Sequence, residues 1–302
     1  MKLLNKIMRQ KEINLFLLIG FVAVAGKSNA QLNPLGAAYF QNQYVFNPAM
    51  SGLEKELTLN LGYRREWNSV PNGPVNQYFT GDYGFSNKTG LGLLVYNDKA
   101  GVLSATRAMA TYSYHVPLAN DQKLHFGLSA GVLNRRIDKS ELNGEPDDPA
   151  LAEGGSTRFD ADFGAAYTDN KFTVQAAFPN MVTFFGKEES DAVDKASFFA
   201  SAGYKLFLNK GEKLILEPRV AFRGVKGYDN IIDVGANLVF SNHLNLFGIY
   251  HSSKSATIGA GLTIKKRLTV SVIYATSTSV LKTYTGGALE AGVKFSLFEA
   301  DK

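Results

Sequence analysis

The 302-residue chain is long enough for one large all-β domain or two ordinary ones, and its lack of cysteine excludes a disulfide framework, a thiol nucleophile and a cysteine zinc site. Its 32 Lys+Arg exceed its 27 Asp+Glu, but residues 1–30 hold five of those cations and one of the anions. The remaining 27 against 26 leave no basic footprint for nucleic acid.

At the N-terminus Lys2, Lys6, Arg9 and Lys11 precede the apolar run INLFLLIGFVAVA, and Ser28-Asn29-Ala30 offers a small-x-small cleavage site. This pattern predicts a secretory signal peptide over residues 1–30 and a mature chain beginning at Gln31, because Ile13–Ala25 is short for a spanning helix. Residues 31–55 then read as a periplasmic N-terminal lead-in. Asn47-Pro48 favours a turn there, and Gly52 permits a tight entry into the first strand.

From residue 56 to 302 the chain alternates apolar and polar residues with period two, which predicts strands and almost no helix. In Leu57–Phe85 a stripe of Leu57, Leu59, Leu61 and Tyr63 breaks at a Pro- and Gly-containing loop and is followed by a second alternating run. Later stripes include Leu124–Val132, Phe159–Tyr167, Leu268–Tyr274 and Leu289–Leu297. The segments fall near 56–67, 75–85, 89–97, 104–116, 122–135, 158–168, 171–178, 196–208, 213–223, 231–241, 243–251, 255–264, 267–276 and 285–298. About fourteen strands is an even number within the range of outer-membrane barrels.

A soluble sandwich also alternates, so the connections carry the choice. Every second one is tight and polar, as at Ser86-Asn87-Lys88, Asp169-Asn170, Asn242 and Lys265-Lys266, whereas the others include the long segments Asp138–Thr157 and Pro179–Lys195. Short turns at one end and long loops at the other predict an all-β, antiparallel up-and-down transmembrane barrel with both termini periplasmic. The apolar faces then meet lipid. Tyr63 and Trp67 sit at the membrane interface, and Arg65 on the same face reaches for headgroup phosphates. Pairing of Arg64, Arg65 and Glu66 with neighbouring strands is an equally economical reading.

The polar faces are rich in glycine, as in the row Thr257, Gly259, Gly261 and Thr263, which suits a curved wall around a confined lumen. On these faces stand Glu217, Arg219, Arg223, Asp233, Glu290 and Lys294. They read as lumen ion pairs, with a polypeptide docking surface as the sharper alternative; Asn47, Pro48, Gly52, Glu217, Arg219, Asp233 and Lys294 are its candidate partner-binding residues. Substitution at the lumen residue Ser129 is expected to be milder than at the lipid-facing Leu128.

No catalytic set, cofactor site or metal site is expected. His125 and Ser129 share a strand face but lie too far apart along one strand to form a dyad. Asp160 and Asp162 share a face near glycosidase spacing, a position where lumen carboxylates more often serve structure. The acidic run Asp138, Glu141, Glu145, Asp147 and Asp148 lacks the spacing of an EF-hand.

The blocks QNQYVFNPAMSG, GYRREWNSVPNGP, a GDY strand, GLGLLVYNDKAG, ATYSYHVPL and KLHFGLSAGV follow one another from Gln41 to Val132. Their order and spacing resemble the PorP/SprF family of outer-membrane proteins associated with the type IX secretion system of Bacteroidetes; past Arg135 the resemblance is one of barrel pattern. The resemblance implies a monomeric, non-enzymatic barrel in outer-membrane lipid, beside the secretion machinery. It also implies a large surface protein as partner, gliding adhesins included, whose C-terminal domain the barrel helps to export or retain. A solute channel and an outer-membrane hydrolase are the alternative functions.

Overall fold

The structure is a computed structural model that describes residues 38–70, 72–118, 121–137, 155–182, 197–209, 211, 213–225, 230–276 and 285–297. The expected signal peptide, the first part of the lead-in, the acidic run and most of Pro179–Lys195 lie outside the described residues. The strands are β1 (Leu57–Glu66), β2 (Val75–Gly84), β3 (Thr89–Ala100), β4 (Leu103–Pro117), β5 (Lys123–Ile137), β6 (Gly155–Thr168), β7 (Phe172–Phe178) and β8 (Ser197–Tyr204). They continue as β9 (Leu206–Phe207), β10 (Leu214–Val225), β11 (Ile231–Phe240), β12 (Leu244–His251), β13 (Ser255–Ile264), β14 (Leu268–Ala275) and β15 (Ala288–Leu297).

Each strand pairs antiparallel with its neighbour, and β15 returns to β1 in the register Leu57↔Leu297 to Glu66↔Ala288. The sheet therefore has no free lateral edge, and the fold is a closed barrel. β8 and β9 are separated only by Lys205 and both pair with β10, so together they make one stave and the barrel has fourteen. The ladder lapses opposite Pro218, which has no N–H to donate. The expected single segment 196–208 is thus broken by its neighbour's proline.

Turn chemistry closes the short end. Ser241-Asn242 and Lys265-Lys266 both carry positive φ at consecutive residues, the primed-turn geometry that matches strand twist. Asp169 accepts from the N–H groups of Phe172 at 2.6 Å and Lys171 at 2.7 Å, and these bonds hold its carboxyl below the usual carboxylate range. At the other end not every connection is long: Gly101, at φ 58°, turns β3 into β4, and Ser252–Lys254 joins β12 to β13 in three residues.

Alternation sorts the two faces as the sequence predicts. Leu61, Leu128, Ile258 and Val272 point outward and are exposed, as the lipid-facing surface of a barrel requires. Inward, every stave places at least one residue out of solvent: Asn60, Thr80, Leu94, Thr111, Ser129, Asp160, Gln175, Ser201, Arg219, Asp233, His251, Thr257, Ser271 and Glu290 are all buried. In a water-filled bore such residues would be wetted. The bore is filled.

Candidate functional site: the filled lumen

The filling is the chain's own segment Ala38–Gly52, which belongs to the expected lead-in but packs inside the barrel rather than outside it. Its local fold follows from Asn47-Pro48. Proline presets the first helical position of the short 3₁₀ turn Pro48–Met50, and the Asn47 side chain caps it by accepting from the Ala49 N–H at 2.9 Å. Ser51 then stops the turn, its N–H bonding back to the Pro48 carbonyl.

On one side this turn is pressed against glycines. A Cβ on Gly127 would collide with the Pro48–Ala49 peptide, and one on Gly164 with the Asn47 side chain. Gly52 and Gly90 meet backbone to backbone. Part of the glycine-rich inner face thus gives room to another backbone, in addition to following the curve of the wall. Side chains complete the seat: Asn47 donates to the Ala165 carbonyl and to Gln175, both at 3.2 Å, and Ser113 Oγ donates to the Ser51 carbonyl at 2.8 Å. The Gly52 N–H reaches Asp82 at 2.8 Å, Asn42 donates to Thr80 at 2.9 Å, and the Tyr44 hydroxyl donates to Thr111 at 2.7 Å.

On the far side the contacts are aromatic. Phe46 packs between Tyr39 and Phe199 with ring centroids 5.6 and 5.4 Å away, and Phe40 lies 5.5 Å from Phe247. Ala221, Ile249 and Ile273 close this cluster, so the apolar core of the molecule stands inside the barrel.

Several of the inward charges are paired. Arg107 bridges Asp160, at 3.1 Å, and Asp162, so the two carboxylates on one strand face are held by one guanidinium. Glu217 pairs with Arg219 at 2.5 Å, and Arg219 lies over the Phe40 ring at 5.3 Å. Arg223 forks onto Asp233 at 2.7 and 2.9 Å. Asp233 also meets His251 at 2.6 Å, and His251 meets Thr257 at 2.8 Å. This Asp–His–Thr chain has the contacts of a nucleophile triad, but Thr257 is 1% exposed, and the cavity it lines with Arg64, Ile273 and Glu290 has room for a water and not for a substrate. His125 contacts His115 and Thr168, while Ser129 contacts Thr111, so His125 and Ser129 do not come together. Among the described residues no three His, Asp or Glu converge as a metal site.

Of the candidate partner-binding residues, Asn47, Pro48 and Gly52 meet in the plug, and Arg219 and Asp233 meet it across the bore through Phe40 and Tyr39. Glu217 is engaged by Arg219; Lys294 stands apart on the inner face of β15, in register with Asn60 and Thr269. Arg64 and Glu66 pair with each other at 3.2 Å on the inner face, whereas Tyr63 and Arg65 face outward near the long-connection end of β1. Trp67 follows one residue beyond β1, exposed and with φ 53°. Sequence reasoning missed Arg107 and the anchors Tyr39, Tyr44 and Phe46; the aromatic-dense run YFQNQYVF ahead of Asn-Pro is the signal that marks the anchors.

A family model for the type IX secretion system membrane protein PorP/SprF matches residues 28–295. No curated protein matches the chain. Among solved structures, the outer membrane protein Omp33 of Acinetobacter baumannii is similar at 10% identity and TM-score 0.47, over 80% of this chain and 98% of that one. The CymD monoaromatic hydrocarbon channel is similar at 11% identity and TM-score 0.47, over 90% and 93%. A variant of the Rh. blastica porin is similar at 9% identity and TM-score 0.35, over 80% and 99%. The family match, by contrast, runs from before the plug through nearly all of the last strand, and on that ground this outer-membrane barrel belongs to the PorP/SprF family of type IX secretion system membrane proteins.

Proposed function

We propose that the protein is a non-enzymatic accessory of type IX secretion that supports export or surface retention of one large cell-surface protein, of the adhesin or gliding type, by engaging its C-terminal domain. The observation that carries this reading is the filled bore. A barrel with at least one buried inward residue on every stave is poorly suited to pass solute, and the triad-like cluster at Thr257 opens only onto a water-sized cavity. What is left for contact with a partner is the rim.

In this reading the signal peptide delivers the chain to the periplasm, the barrel sits as a monomer in outer-membrane lipid, and both ends of the barrel sheet face the periplasm. Tyr63, Arg65 and Trp67 then mark the outer interface. The partner docks on the outer connections, Asp138–Thr157 and Pro179–Lys195, in preference to the lumen, because Glu217 is paired with Arg219 and Asp233 is held by Arg223 and His251. Affinity purification of the full chain from native outer membrane tests this. Co-purification of secretion components with one large surface protein is the expected result; a barrel that comes down alone from membranes rich in such proteins contradicts it.

A further inference from the structure

We propose that the inner wall of β2–β7 is a peptide-binding groove, and that the chain's own segment Ala38–Gly52 occupies it as a separable stopper and not as part of the wall. Three observations carry this. First, no residue of the segment joins the sheet ladder; the register from β1 round to β15 and back is complete without it. Second, the groove is cut to the shape of a backbone. Gly90, Gly127 and Gly164 come from the inner faces of β3, β5 and β6 and sit where any side chain would strike the segment. Third, the segment is held the way a ligand is held: its side chains and main chain donate hydrogen bonds to Thr80, Asp82, Thr111 and Gln175, and Ser113 donates one to its backbone.

The chemistry names the ligand: a short polypeptide with an Asn-Pro turn at its centre, a tyrosine three residues before that Asn, and an Ala directly after the turn's Pro. Asn47 is the reading head, since its one amide caps the turn and bonds both the Ala165 carbonyl and Gln175. Residues 53–56 tether the segment to β1, and with no cysteine in the chain nothing covalent fastens its other contacts. Release of the segment would unblock the bore without breaking a strand pair. The secretion role is not needed for this inference, which concerns the lumen alone.

The test is conductance of the purified full chain in a planar bilayer. The natural chain is expected to be silent, and a full-length Tyr44→Ala, Asn47→Ala variant, with its wall intact, is expected to open. A synthetic peptide of sequence AYFQNQYVFNPAMSG should close the opened variant, and the same peptide with both alanines should not. An open natural chain, a folded variant that stays silent, or equal block by both peptides would each overturn the proposal. If the variant does not fold, a full-length Asn42→Cys, Thr80→Cys chain answers the same question, because those side chains touch at 2.9 Å. With Asn47→Ala added to weaken the seat, the cross-linked chain should stay silent and the reduced chain should open; openings while cross-linked, or none when reduced, overturn the proposal.

Discussion

Arg107 is the residue on which the inner wall of β4–β6 depends most. It neutralises two buried carboxylates at once, so Arg107→Ala leaves Asp160 and Asp162 uncompensated, and truncating one partner of a buried pair costs about 3–5 kcal/mol. Urea unfolding of the full chain refolded into vesicles should show that loss, and Arg107→Lys should recover only part of it because an ammonium cannot fork onto both carboxylates. Gly127→Val is the complementary case: it overfills the seat of Pro48 and should cost about 1–3 kcal/mol in the same titration. That Asp160 and Asp162 share an inward face was legible in the sequence, since period two is a local property. Their partner was not, because Arg107 stands two strands away and only the cross-strand register brings it near. The Asn47-Pro48 turn was legible for the same local reason, while Gln175, 128 residues further on, was not.

At the scale of strands, the outward stripes make a sharp prediction. Leu128→Arg or Val270→Arg, each on an exposed apolar face, should cost about 2–4 kcal/mol if the site lies near mid-membrane. Wild-type stability of both variants in a vesicle refolding titration would refute the register. The expected contrast with Ser129 does not survive the structure. Ser129 is buried with its hydroxyl 2.6 Å from Thr111, so an arginine there would strike a packed interior and not a watery channel. All fourteen staves were legible, because alternation bounded by turn residues is what a strand closed into a barrel must show. Two details were hidden. The lapse at Lys205 is imposed by Pro218 on the neighbouring strand, and the tight β3–β4 connection depends on one glycine at positive φ.

At the scale of the whole molecule, the largest departure from the sequence reading is the lead-in, expected as a periplasmic segment and found with Ala38–Gly52 inside the barrel. Ala38–Gly52 has no strand or helix periodicity, and its partners are spread from Thr80 to Phe247, so only the closed barrel reveals where it belongs. Topology follows from the same closure. β1 and β15 start and end at the short-turn end, and a tag placed after Gln31 should resist an impermeant label on intact cells. Labelling there would reverse the orientation, with the long connections moved to the periplasm. The central claim, a plugged barrel serving one secreted partner, is tested most directly by comparing the surface proteins and the solute uptake of a deletion strain with those of its parent. The account predicts that one large surface protein is lost from the cell exterior while uptake is unchanged. A complete surface complement together with a lost uptake activity would contradict it.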